Sequence, residues 1–86
     1  MAEPAFTPSF LRRIIEVEKA ASGAELELLN QTLARIVTDP ILPERFPTYY
    51  DPALPTFFVR AGPFLMEFAV NEATNGVTFI SLFYRW

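Results

Sequence analysis

The spacing of apolar residues changes once along this chain, near Asp39-Pro40, from a helical period to a strand period. In TPSFLRRIIEVEKA, the residues Phe10, Leu11, Ile14, Ile15 and Val17 fall on one broad helical stripe. Thr7 offers an N-cap oxygen, and Pro8 suits the first helical position because the N–H it lacks would be unpaired there anyway. The pattern predicts a helix from about Pro8 to Ala20. Ser22 and Glu25 then stand at capping-box spacing, and Leu26, Leu29, Leu33 and Ile36 or Val37 continue at helical intervals. A second helix is expected up to about Thr38. So short a link between the two makes them an antiparallel hairpin.

Residues 39–55 carry Pro43, Pro47, Pro52 and Pro55, which exclude regular helix and disfavour a central strand, so the segment reads as a crossing loop. From Thr56 onward TFFVR, FLMEFAV and VTFISLFYRW are β-rich runs, joined by Ala61-Gly62-Pro63 and by residues 71–76. They predict an antiparallel meander over 56–86. Ala5-Phe6-Thr7 is long enough only for a short extra edge strand. The expected fold class is α+β, an N-terminal antiparallel helical hairpin packed on a three- to four-stranded antiparallel β-sheet, forming one domain over 1–86. Gly62, ahead of Pro63, is expected at positive φ in a tight corner.

Strict alternation places Phe64, Met66, Phe68 and Val70 on one face of the middle run and Leu65, Glu67 and Ala69 on the other. In the last run it sets Val77, Phe79, Ser81 and Phe83 against Thr78, Ile80, Leu82, Tyr84 and Trp86, so both faces are largely apolar. Two helices cover one face of such a sheet. The other face either meets the Pro-rich loop within the monomer or waits for a partner.

Composition narrows the function. The 86 residues make a small domain with a modest core, of the kind that often leans on a partner. The absence of cysteine and histidine excludes a disulfide framework, thiolate metal sites, His-based triads and the common zinc sites, so no cofactor and no metal is expected. Ten acidic against seven basic residues, a net charge of -3, argue against strong direct nucleic-acid binding. MAEPAFTPSF has neither a basic leader nor a long apolar run, which points to a soluble cytoplasmic protein without membrane contact. Hydrophobic residues make up 51% and nine are Phe, more apolar material than a small domain readily hides, so a partner chain or a second copy is expected to cover part of it.

Four strings, in this order and spacing, resemble the RelE/ParE-like toxins of bacterial toxin-antitoxin systems. They are TPSFLRRI entering the first helix, LARIVTDP closing the second, VRAGPFLMEFAV as an Arg-x-Gly-x-aromatic hairpin, and NGVTFISLFYR as the last strand with a terminal aromatic-Arg. The resemblance spans about residues 5 to 85 and implies an antitoxin protein as partner. It also implies one of two activities: messenger-RNA cleavage on the ribosome, as in RelE-type members, or binding and poisoning of DNA gyrase, as in ParE-type members. Arg60 stands at the Arg of the hairpin motif, Arg85 at the Arg ending the last strand, and Tyr84 beside it. These three are the candidate catalytic or target-binding residues.

The departures count as much. Metal-free RNA cleavage needs a base, an acid and cations for the developing phosphorane charge. After Phe64 the nuclease-type pattern has a second Arg where this chain has Leu65, and the sole lysine, Lys19, is on the first helix. Binding is therefore favoured over catalysis, with a nontoxic interaction module of the same fold and a ribosome-dependent endoribonuclease as alternatives. Glu16 and Glu18, like Glu25 and Glu27, are two apart on a helix, do not converge, and read as solvated faces. Arg12-Arg13 read as a surface pair, Tyr49-Tyr50 as anchors of the Pro-rich loop, and Asn75-Gly76 as a turn.

Overall fold

The computed structural model describes residues 4–43, 45–47, 56–71 and 76–85. The chain runs β1 (Ala5–Phe6), α1 (Pro8–Ala20), α2 (Gly23–Thr38), β2 (Phe46–Pro47), β3 (Thr56–Ala61), β4 (Phe64–Asn71) and β5 (Gly76–Tyr84). Both helices begin as their caps dictate. The Thr7 hydroxyl accepts from the Phe10 N–H, with Pro8 in the first turn, and Ser22 and Glu25 form a complete capping box. An Arg13–Glu16 ion pair of 2.9 Å lies on the exposed side of α1, where water screens it to little net effect.

The expectation of a three- to four-stranded antiparallel sheet is corrected here. The sheet has five strands in the order β1-β5-β4-β3-β2, and it is mixed, because β1 runs parallel to β5. Thr7, just after β1, fixes that edge: its N–H donates to the Phe79 carbonyl at 3.0 Å and its hydroxyl to the Ile80 carbonyl at 2.8 Å. The other edge lies inside the stretch expected to be a plain crossing loop, where Phe46 pairs with Phe58 and Pro47 with Phe57. Proline is tolerated there because its missing N–H removes no central ladder bond. The Arg45 guanidinium, 3.8 Å over the Phe57 ring, holds this edge down.

The helical hairpin covers one face. Phe10 and Val17 of α1 and Leu29 and Ile36 of α2 pack with Val59, Phe64, Met66, Phe68, Val70, Val77, Phe79 and Leu82 into one core. Phe79 is its hub, with ring centroids 5.3 Å from Phe6, 5.4 Å from Phe10 and 6.3 Å from Phe68. Strict alternation fails once, in β5. Phe68 pairs with Phe79 but Glu67 pairs with Ser81, so Ile80 is an extra residue. This bulge exchanges the faces beyond it: Leu82 is buried and Tyr84 packs on the core, whereas Phe83 is 40% exposed. The carbonyl of the extra residue is the one that the Thr7 hydroxyl satisfies.

Candidate functional site

The β3–β4 corner carries the expected residues. Gly62 sits at φ +56, a conformation that L side chains avoid, and a Cβ there would lie 2.7 Å from Leu28 Cδ2 on α2. The corner therefore rests directly on the second helix. Arg60, Leu65 and Phe83 form one cross-strand row on the face away from the helices. Beyond β5 the chain turns sharply: Arg85 has φ 55, and its N–H donates to the Pro63 carbonyl at 2.8 Å. As a result Arg60, Gly62, Pro63 and Arg85 line one shallow, open depression of about 220 Å³.

Tyr84 is placed differently from the two arginines. Its ring stacks on Phe64 with centroids 5.3 Å apart, and its hydroxyl donates to Glu25 Oε1 at 3.0 Å. The same Glu25 oxygen accepts the Ser22 N–H at 2.9 Å. The Ser22 N–H, and next the Tyr84 hydroxyl, hold the Glu25 carboxyl below its ordinary value, with the Arg85 charge adding to the effect against a partial loss of water. Loss of water around the half-buried ring pushes the Tyr84 phenol up, helped by the bond to Glu25 and opposed by nearby Arg85. The Arg85 guanidinium lies 5.0 Å from the centre of the Tyr84 ring. The arrangement thus places two arginines around one open depression, next to a phenol that keeps its proton in a hydrogen bond to a carboxylate.

Arg60 and Arg85 are brought together, while Tyr84 points to the helix side. The Glu25 carboxylate, read from spacing as part of a solvated face, links the helix cap to the end of β5. Its capping-box partner was visible in the sequence, but its second partner was not. Tyr49-Tyr50, Asn75 and Trp86 lie outside the described residues. Among the described residues no group of three or more Asp or Glu converges as a metal site would require, and no helix is long and apolar enough to cross a membrane.

This geometry is carried on a RelE-like toxin fold. The chain superposes on one chain of the crystal structure of the archaeal RelE–RelB complex from Pyrococcus horikoshii OT3 with a TM-score of 0.76, covering 98% of this chain and 94% of that one at 11% identity. Against the isolated E. coli RelE toxin the TM-score is 0.69, with 100% and 86% covered at 14% identity. A metal-bound toxin from Helicobacter pylori gives 0.62, with 98% and 94% covered at 15% identity. No family model and no curated protein matches the sequence. The likeness is therefore one of backbone architecture.

Proposed function

We propose that this protein is the toxin of a toxin-antitoxin pair, acting mainly by binding a macromolecular target through the Arg60–Arg85 end of its sheet and neutralised by an antitoxin. The observation that carries this reading is the convergence of Arg60 and Arg85 with Gly62 and Pro63 on one open depression. The RelE-like fold supports the toxin assignment, and one structural neighbour is a RelE–RelB complex, which supports an antitoxin partner. Binding is favoured over catalysis by the surroundings of the two cations. Leu65 stands beside Arg60 in the cross-strand row, where a further cation would help hold a phosphorane, and the Tyr84 hydroxyl is engaged by Glu25. DNA gyrase and the ribosome are the two targets that the family resemblance suggests for such a surface, and the cytoplasm is where either would be met.

Induced expression of the wild type and of Arg60→Ala/Arg85→Ala, with growth and messenger-RNA ends followed together, tests this reading. The wild type should slow growth, the double variant should relieve it, and messages should stay intact, since a missing charge-stabilising donor typically costs about a hundredfold in rate. Messages cut on the ribosome would make the protein an endoribonuclease. Normal growth at high soluble expression would make it a nontoxic interaction module.

A further inference from the structure

Arg85 is held in a conformation that its own chemistry does not favour. An arginine at φ 55 lies in the left-handed region, which glycine enters freely and L residues other than Asn, Asp and His adopt rarely. One constraint is the bond from its N–H to the Pro63 carbonyl, on the far side of the Gly62 corner. The other is the residue before it. The Tyr84 ring stacks on Phe64, a contact that still lets a ring slide, and the bond from its hydroxyl to Glu25 Oε1 removes that freedom. The Glu25 carboxylate is itself held at the helix cap, because the same oxygen receives the Ser22 N–H, a backbone donor that does not depend on the Ser22 hydroxyl. A chain of contacts therefore runs from the first turn of α2, through a phenol, to the backbone of Arg85.

We infer that Glu25 is a positioning residue for Arg85: through the Tyr84 hydroxyl, the capping carboxylate of α2 sets the left-handed turn that keeps Arg85 at the depression it lines with Arg60. The functional half of this inference rests on the proposal that the two arginines meet the target, whereas the geometric half does not. The requirement is for an acceptor oxygen at this place, so Gln can serve and Ala cannot. It also separates the two uses of the cap. Removing the Ser22 hydroxyl weakens the helix N-terminus but leaves the Glu25–Tyr84 bond in place.

The test compares Glu25→Ala, Glu25→Gln, Tyr84→Phe and Ser22→Ala in the full chain by thermal melting, by NMR of the Arg85 amide, and by growth on induction. Glu25→Ala and Tyr84→Phe should speed hydrogen exchange of the Arg85 N–H about tenfold relative to the Met66 N–H, the equivalent of one lost hydrogen bond, and move the Arg85 HN–Hα coupling off its left-handed value. Both should also relieve the growth defect. Glu25→Gln should restore all three readouts. Ser22→Ala should lower the melting temperature comparably to Glu25→Ala while Arg85 stays as in the wild type. The inference is overturned if Glu25→Ala leaves the Arg85 exchange and coupling unchanged, or if Ser22→Ala moves them as much. Should the wild type leave growth untouched, the proposed function fails, and the NMR readouts still decide the positioning.

Discussion

Gly62→Ala probes the place where the hairpin corner meets α2. Two costs follow from the structure. At φ +56 an L side chain crowds its own backbone, at about 1–2 kcal/mol. The new Cβ would also lie 2.7 Å from Leu28 Cδ2. That atom is the far end of a flexible side chain, so it moves aside, at the cost of an off-rotamer Leu28 of about 0.5–1.5 kcal/mol. Together these give about 2 kcal/mol. For a chain of this size each kcal/mol lowers the melting temperature by about 4–8 °C, so the expected shift is on the order of 10 °C by circular dichroism. Gly62→Val should cost more, because a β-branched side chain is stiffer in the same space. In a Leu28→Ala background, Gly62→Ala should keep only the conformational cost of about 1–2 kcal/mol. Gly23→Ala is the control: nothing lies within 4 Å of a Cβ there and the position is helical, so it should be neutral or slightly stabilising. A Gly62→Ala melting curve superposable on the wild type would refute the reasoning, since neither the left-handed corner nor its contact with Leu28 could then exist in solution.

Two further perturbations address the joints of the fold. Thr7→Ala removes both the N-cap of α1 and the donor to the Ile80 carbonyl at the bulge, so it should destabilise by about 2 kcal/mol in urea melts, and a loss no larger than that of an ordinary surface substitution would count against the double role. Stability should also change with pH at both ends of the Glu25–Tyr84 bond. The Glu25 carboxyl is held below 4.5 in the folded state, so its contribution is present above that value and is lost as the pH falls through the lowered one. The Tyr84 phenol is held above 10.0, so its contribution is present below 10.0 and is lost as the pH rises through the raised value. The difference in melting temperature between the wild type and Tyr84→Phe should accordingly shrink toward both extremes, and a difference constant across that range would exclude the bond.

The two helices were legible residue by residue because everything that defines them is local. Thr7-Pro8 and the Ser22/Glu25 box satisfy orphan N–H groups within one turn, and the stripe of Phe10 and Val17, then Leu29 and Ile36, repeats at the helical period. The three longer strands and the Gly62 corner were legible for the same reason, through β-rich runs and a residue that can take positive φ. What escaped the sequence depends on partners far along the chain. Phe46–Pro47 is too short to show any period, so its membership of the sheet exists only through the edge of β3, and the short edge strand expected at residues 5–7 carries no local sign that it runs parallel to β5. The exchange of faces after Phe79 comes from register against β4, which no alternation within β5 reveals. The Glu25–Tyr84 bond joins residues 59 apart. Sequence therefore determined which side chains could cap, turn or be buried, and the docking of the hairpin on the sheet decided that one capping carboxylate would also receive the tyrosine beside Arg85, because only the packed core brings the start of α2 against the end of β5.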